Sequence, residues 1–233
     1  VNVHIVTGSV TSAQNIIKCC NQSGLDVEDI VLEPLSSSQA VLSPDEQEVG
    51  VVLVDIGGGT TDVTIYSEGS IVHTAVLALG GNHLTHDIAI GLGAPLREAE
   101  EIKHKYGLAM ASMVEEEEMI DVPSVGGRNN RTMQKKVLAS IIEDRFREIF
   151  ELIAHEIEKT HFHTLMASGV VITGGSCIMP GADLLASQVL NLPVRVGYPE
   201  NISGLREMIY SPKYATSVGL VRYGITSNQG KLN

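Results

Sequence analysis

Two aspartates and three glycines stand close together in the stretch VVLVDIGGGTTDVTIY, from Val51 to Tyr66. An apolar run ends at Asp55, the glycines follow, and a second alternating run begins near Asp62, which is the pattern of a β-hairpin with a glycine tip. Successive glycines can adopt positive φ and turn their N–H groups toward one anion. The pattern therefore predicts a phosphate site, in which threonine hydroxyls add donors. Its predicted residues are Gly57, Gly58, Gly59, Thr60 and Thr61.

The two aspartates need a separate explanation, because carboxylates repel a bare polyphosphate. Mg²⁺ is commonly held through one or two carboxylates together with phosphate oxygens. We therefore predict Asp55 and Asp62 as Mg²⁺ ligands. The alternative is a plain glycine turn whose aspartates only bind the loop, and a motif this short does not exclude it.

A second glycine signal occurs in SGVVITGGSCIMPG, from Ser168 to Gly181. A buried strand is predicted over Val170–Thr173, and a helix is predicted to begin near Ala182. Glycines between a strand and a helix N-terminus let the backbone approach a ligand closely. This turn is a candidate second edge of a nucleotide site.

Gln39 is a candidate catalytic residue on a short helix that follows Pro34. A side-chain amide can orient an attacking water near a γ-phosphate. Alone, Gln39 is better explained as a solvated helix residue.

The remaining chain alternates predicted strands and helices, which indicates an α/β fold. Hydrophobic periodicity and turn residues supply the boundaries. The predicted strands are Val3–Val6, Val27–Leu32, Ser70–Leu79 and Val194–Val196, and the predicted helices are Thr11–Cys20, 82–91, Leu96–Tyr106, Thr132–Leu165 and Tyr214–Gly224.

Composition limits the classes of partner and compartment. The formal net charge is −12 and the pI is about 5.0, which argues against a nucleic-acid surface. Three cysteines form no disulfide framework and indicate a reducing cytoplasm. We expect neither a membrane span nor a signal peptide. Because the chain opens at Val1 in a strand-like pattern, we also expect a piece of a longer protein.

The order of these motifs resembles the actin-like ATPase superfamily, whose fold is an α/β, ribonuclease H-like domain. The hairpin looks like the second phosphate motif, and Val171–Gly181 looks like the adenosine motif. Gln39–Leu42 and Ala215–Gly219 look like the two connecting helices.

Within that superfamily the chain is most similar to the FtsA family of bacterial cell-division proteins. The similarity covers nearly the whole chain. It rests on the hairpin and on Glu33–Ser37, Gly81–Asn82, Ala99–Lys103 with Gly107, Val122–Arg128, Asn201–Leu205 and Ser217–Leu220.

The resemblance implies ATP binding in a cleft between two halves, with weak or absent hydrolysis. Asp55 would hold Mg²⁺ or help position the attacking water, and Lys103 would lie near the adenine. The residues implied to line the nucleotide are Gly174, Gly175, Ser176 and Met179.

The resemblance also implies an adaptor that forms actin-like filaments and links the tubulin-like FtsZ to the membrane with other division proteins. Its place would be the cytoplasmic face of the inner membrane at the division site. An inserted small α/β subdomain, residues 82–167, would receive the C-terminal tail of FtsZ. The candidate grip, of basic, apolar and acidic groups, consists of Arg131, Arg145, Phe146 and Glu148.

The expected organisation follows from the same resemblance. Residues 1–48 would be a remnant of a first half, residues 49–81 and 168–226 the large subdomain, and residues 227–233 a tail. The first phosphate motif and the C-terminal membrane helix of the family are not found in this chain, so we expect weak ATP binding and no lipid binding. The alternatives are a sugar or acetate-type kinase with Asp55 or another cleft carboxylate as base, and a DnaK-like chaperone.

Overall fold

The computed structural model describes residues 4–124, 129–160, 167–204 and 206–231. These ranges contain both strands and helices, as expected for an α/β chain. The strands are β1 (Val51–Ile56), β2 (Thr61–Ser67), β3 (Ser70–Leu77), β4 (Met119–Val122), β5 (Arg131–Gln134), β6 (Val170–Thr173) and β7 (Val194–Val196). The helices are α1 (Val10–Gln22), α2 (Glu33–Val41), α3 (Pro44–Val49), α4 (Gly81–Leu92), α5 (Leu96–Tyr106), α6 (Lys135–Glu158), α7 (Ala182–Leu190), α8 (Arg206–Ile209) and α9 (Ala215–Lys231).

Five strands form one mixed sheet in the order β3-β2-β1-β6-β7. The first three strands make an antiparallel meander, whereas β6 runs parallel to β1 and β7 runs parallel to β6. This topology places the carboxyl ends of β1 and β6 side by side. The two glycine turns that follow these strands therefore meet at one edge of the sheet.

The central strand β1 is buried along its whole length. Because side chains alternate between the faces of a sheet, Val52, Val54 and Ile56 join a core with α4, α5, α6 and α7, while Val51 and Leu53 pack under α2 and α9. The first core extends from the sheet to α6 without a break. The predicted insertion thus packs on the sheet and shares its core.

Helix starts follow local capping chemistry. Ser9 caps α1 by accepting a hydrogen bond from the N–H of Ser12, and Ser43 and Glu46 form a reciprocal capping box on α3. Pro34 lies in the first turn of α2, where its missing N–H has no intrahelical partner to lose.

Two predicted strands near the beginning of the chain are wrong. Residues 4–9 and Val27–Leu32 contain no strand, and most side chains between residues 4 and 31 are exposed. A strand requires a neighbour for its backbone hydrogen bonds, and in the described parts of the chain no strand pairs with either segment.

The long helix begins later than predicted. Residues before Lys135 form the hairpin of β4 and β5, in which Ile120 pairs with Met133. Alternation over four residues per strand is too short a pattern to separate from a loop. Of the VPSVGGR stretch, residues 125–128 lie outside the described residues, as does the predicted end of the helix beyond residue 160.

Candidate functional site

A cleft of about 370 Å³ opens where the two glycine turns meet. A volume of this size lies within the range of small-molecule sites. It is lined by Gly57 and Gly58 from the hairpin tip, by the beginning of α4, by α5, and by the turn after β6. Six of the predicted nucleotide-site residues line it: Gly57, Gly58, Lys103, Gly175, Ser176 and Met179.

Hydrogen bonds hold the walls of the cleft together. Ser176 Oγ donates to Gly57 O at 3.1 Å, and the N–H of Gly81 donates to the same carbonyl at 2.9 Å. A Cβ at Gly80 would lie 2.7 Å from Gly57 O, so this approach requires glycine. The hairpin tip, the start of α4 and the second turn are thereby fixed to one another.

The predicted reason for the three glycines is wrong. Gly57, Gly58 and Gly59 are not among the glycines with positive φ, so they do not form the expected nest. The strained glycine is Gly174, with φ 94°, where a Cβ would lie 2.5 Å from Asp55 Oδ1. Close contact between the two strand ends, and not anion geometry alone, explains glycine at that turn.

Asp55 and Asp62 face each other directly across β1 and β2. Asp55 is only 5% exposed, and its Oδ2 accepts a hydrogen bond from Ser37 Oγ at 2.7 Å. Burial raises the pKa of Asp55, against the hydrogen bonds from Ser37 and Thr216. Burial also raises the pKa of Asp62, and the charge of Asp55 adds to the shift.

Glu33 is a third carboxylate at this place, and the sequence analysis did not single it out. The residue is exposed, but its carboxyl group is partly buried, which raises its pKa, and the charges of Asp55 and Asp62 raise it further. The Thr216 hydroxyl of α9 acts in the opposite direction and lowers the pKa of Glu33. Its position in the first turn of α2, four residues before Ser37, was the available signal.

The three carboxylates do not converge as a ready-made metal site. Among the described residues, no three acidic, histidine or cysteine side chains come close enough to hold a metal ion together. Asp55 and Asp62 are therefore suited to Mg²⁺ only in the manner predicted, with phosphate or water oxygens completing the coordination.

Two residues of the predicted phosphate motif face elsewhere. Thr61 is fully buried and its hydroxyl donates to Leu79 O at 2.8 Å, so that it fastens β2 to the end of β3. Thr60 is exposed and bonds to the Asp62 carboxylate. Neither these threonines nor Gly59 or Gly174 lines the cleft.

Gln39 is not brought to the carboxylates. It lies two residues after Ser37 on α2, about 200° further round the helix, and it is exposed. Ser37 is the residue of this helix that contacts Asp55. The structure gives no support to a catalytic role for Gln39.

Lys103 lines the cleft but is already fully bonded. The residue is 8% exposed, and its ammonium donates to Gly81 O at 3.0 Å, Thr85 Oγ1 at 2.7 Å and Glu100 Oε2 at 2.7 Å. These three acceptors use all three hydrogens of a lysine. Lys103 thus joins α4 to α5 at the cleft wall.

One of the four predicted partner-binding residues is unsuited to that role. Phe146 is 0% exposed and stacks on Phe150 with ring centroids 5.7 Å apart, so it belongs to the core and cannot contact a partner. Its spacing from the apolar residues Ile142, Ile149 and Phe150 of α6 already indicated this buried face. Arg131 donates to Leu92 O at the end of α4.

Arg145 and Glu148 remain together at the surface of α6. Arg145 bonds to both carboxylate oxygens of Asp87, at 2.5 Å from Nε and 3.0 Å from Nη2, and it also contacts Glu148. With Ile141 and Asp144 these residues line a shallow depression of about 250 Å³.

No helix in the described ranges is both long and apolar enough to cross a membrane.

Comparison with known families adds an independent observation. The model of the family described as "Cell division protein FtsA" matches residues 52–219. The FtsA of Pseudomonas aeruginosa is 46% identical over 223 residues, covering 96% of this chain and 54% of that protein. The FtsA of Escherichia coli K12 is 41% identical over 233 residues, covering 97% of this chain and 56% of that protein. The chain therefore spans about half the length of the curated relatives it matches.

Solved structures show the same architecture at low identity. MreB5 of Spiroplasma citri bound to ADP superimposes with a TM-score of 0.77 at 18% identity, covering 97% of this chain and 68% of that one. A type IV pilus complex of PilM and PilN gives a TM-score of 0.69 at 17% identity, covering 91% and 57%. The fold is that of actin-like ATPases, as predicted.

Proposed function

The chain belongs to the FtsA family of cell division proteins, and we propose that its cleft binds an adenine nucleotide together with Mg²⁺. The observation that carries this proposal is the meeting of two glycine turns at one sheet edge, with an aspartate pair on the strands behind them. The MreB5 structures of the same fold were solved with ADP and with AMPPNP.

The phosphate end would lie against the hairpin tip. Gly58 carries no side chain there, and Gly59 has open space where a Cβ would stand. Lys213, whose side chain lines the cleft, adds a positive charge. Bound Mg²⁺ would supply charge to neutralise phosphate oxygens, and Asp55 and Asp62 would hold it.

The aspartate pair also fits a cation on electrostatic grounds. Burial raises the pKa of both carboxyl groups, and the charge of Asp55 raises that of Asp62 further, so the charged forms are disfavoured in these adjacent positions. A divalent cation would relieve this repulsion. Within the described residues, no hydrogen bond to Asp55 Oδ1 is recorded, which leaves that oxygen available.

The nucleoside end would lie against the second turn. Gly175, Ser176 and Met179 line this wall, opposite the α5 side chains Lys103 and Glu100. Because Lys103 is held by three acceptors, its contribution would be to shape the wall and not to supply a free donor.

Equilibrium titration of a fluorescent adenine nucleotide into the 233-residue chain tests this proposal. Gly175 lines the cleft, and a Cβ there would have only Lys213 Cβ within 4 Å, at 3.8 Å. Gly175→Leu should therefore fold normally, fill part of the cleft and abolish binding. Gly224→Leu, on α9 where a Cβ has nothing within 4 Å, is the matched control. Unchanged binding by a folded Gly175→Leu variant would contradict the proposed cleft.

For the whole protein we propose the role of a cell-division adaptor at the cytoplasmic face of the membrane. Family membership supports a part in division, and the actin-like fold supports assembly into filaments. The nucleotide cleft would then regulate assembly with slow or absent hydrolysis.

Arg145 and Glu148 are the proposed contact for the C-terminal tail of FtsZ. A guanidinium held in a planar pair with Asp87 matches a carboxylate of an incoming acidic peptide. Such a peptide would have to replace Asp87 or Glu148 at Arg145. Titration of a labelled tail peptide should show micromolar binding that Arg145→Glu removes.

Arg147→Glu is the control for that titration, because Arg147 lies on the same helix but pairs with Glu143 instead. Equal loss in both variants would indicate only general charge attraction. Retained binding in Arg145→Glu would exclude this surface.

A further inference from the structure

A chain of hydroxyl groups connects the buried aspartate to two helices. Ser37 Oγ on α2 lies 2.7 Å from Asp55 Oδ2 and 3.0 Å from Thr216 Oγ1 on α9. Thr216 Oγ1 also lies 3.4 Å from Asp55 Oδ2. Ser37 is fully buried, so this chain lies inside the protein.

The direction of these hydrogen bonds follows from proton counting. A serine or threonine hydroxyl has a single hydrogen to donate. Because the hydrogen of Ser37 goes to the carboxylate, Thr216 is the donor in any hydrogen bond between the two hydroxyls. Its single hydrogen is directed either at Ser37 Oγ or at Asp55 Oδ2, so Thr216 supports the carboxylate through Ser37 or directly.

The same two helices make an unusually close contact beside the chain. A Cβ at Gly219 of α9 would lie 1.8 Å from Ser36 O of α2, so the backbones touch where only glycine fits. Ser36 Oγ also donates to the backbone oxygen of Thr216 at 2.6 Å. Thr216 is thus fixed from two sides, by Ser36 through its backbone and by Ser37 through its hydroxyl.

We propose that Ser37 and Thr216 are positioning residues for the nucleotide site, which orient Asp55 toward Mg²⁺ and make that orientation depend on the crossing of α2 and α9. This inference rests on the nucleotide site proposed above. A shift of α9 along α2 would move the Thr216 hydroxyl and release one donor from the chain. Partners of a metal-binding carboxylate act in this way by fixing its rotamer and its charge distribution.

The test compares nucleotide affinity with and without Mg²⁺ in matched variants. For fluorescently labelled ADP, the dissociation constant is measured in Mg²⁺ and in EDTA, and the ratio reports the metal contribution. Ser37→Ala should weaken Mg²⁺-dependent binding by about tenfold and leave binding in EDTA unchanged. Ser38→Ala removes another buried hydroxyl of the same helix, which donates to Leu35 O at 2.9 Å and contacts neither Asp55 nor Thr216, and it should leave the ratio unchanged.

Thr216 offers a second pair of variants. Thr216→Val keeps the shape of the side chain but loses the hydroxyl, so it should lower the Mg²⁺ contribution to nucleotide binding. Thr216→Ser keeps the hydroxyl and should retain that contribution. Circular dichroism establishes that each variant is folded.

The outcomes separate this inference from the nucleotide proposal. If the wild type binds nucleotide in an Mg²⁺-dependent manner and Ser37→Ala and Ser38→Ala give the same ratio, the positioning role alone is overturned. Absence of Mg²⁺-dependent binding in the wild type would overturn the proposed site and this inference with it.

Discussion

Asp62 stands directly opposite Asp55 across the antiparallel pair of β1 and β2. Directly opposed side chains of an antiparallel pair lie on the same face with Cβ atoms about 5 Å apart. That face carries α2 and α9, since the neighbouring odd-numbered β1 residues Val51 and Leu53 pack there. The pair is therefore destabilising as long as both carboxylates are charged and no cation lies between them.

Removing one charge of this pair should stabilise the free protein. The pKa of Asp62 is raised in the fold, first by burial and then by Asp55. A raised carboxyl pKa means that the folded protein binds the proton more tightly than the unfolded chain does. The free energy of unfolding therefore falls as the pH rises from the ordinary pKa of an aspartate through the raised pKa of Asp62. Asp62→Asn should raise the free energy of unfolding at neutral pH by up to about 1 kcal/mol and flatten that fall.

Urea denaturation over a series of pH values measures both effects. Asp26→Asn, at an exposed position near the start of the chain, serves as the control. A lower stability of Asp62→Asn at neutral pH would show that the carboxylate has a favourable partner in the fold.

Gly174 should tolerate no side chain. Its φ of 94° and the distance of 2.5 Å from a Cβ to Ile56 O combine strain with a backbone clash. Gly174→Ala should cost about 1–3 kcal/mol from the backbone conformation alone. Gly175→Ala, the adjacent residue with ordinary contacts at 3.8 Å, should stay within about 0.5 kcal/mol of the wild type. Equal effects in thermal unfolding would contradict this assignment.

Lys103 should be more important for stability than for nucleotide chemistry. Lys103→Met removes three hydrogen bonds and should cost about 2 kcal/mol, while Lys105→Met on the exposed face of α5 should cost little. Burial acts to raise the pKa of Glu100, but hydrogen bonds from Lys103 and Thr85 outweigh it and lower the pKa.

The pH dependence of that variant follows from the lowered pKa. Glu100 contributes to stability at pH values above its ordinary pKa of 4.5, and this contribution is lost as the pH falls through its lowered pKa in the folded protein. Thermal unfolding at neutral and acidic pH should therefore show a smaller loss on acidification in Lys103→Met. An unchanged loss would mean that the ion pair contributes nothing.

Substitutions of Phe146 should alter partner binding only by destabilising the folded protein. Phe146→Ala should cost about 3–5 kcal/mol because it leaves a cavity beside Phe150. Phe146→Leu keeps most of the buried volume and should bind a tail peptide like the wild type. Loss of that binding in folded Phe146→Leu would show that the ring contacts the partner after all.

Local sequence patterns correctly predicted those parts of the site that are formed by residues close together in the sequence. The hairpin of β1 and β2 and the turn after β6 were visible because glycines interrupt apolar runs there. The strand boundaries confirm both. The family resemblance is confirmed by the match over residues 52–219.

The failures have a common physical cause, since they concern contacts between distant segments. The charge of Asp55 acts on Glu33 only because α2 packs on the sheet, and no periodicity within α2 indicates this. Phe146 is the exception, because the apolar spacing along α6 already indicated that it faces the core. The first predicted strand, Val3–Val6, has the right residues but no neighbouring strand in the described chain.

The hydrogen bond from Ser176 to Gly57 joins residues 119 positions apart. During synthesis at about 5–20 residues per second, roughly ten seconds pass between the appearance of one wall of the cleft and the other. The meander of β1, β2 and β3 needs only near neighbours, whereas the parallel pairing of β1 with β6 requires closure of a long loop. A nascent chain consequently has a folded hairpin well before it has a cleft.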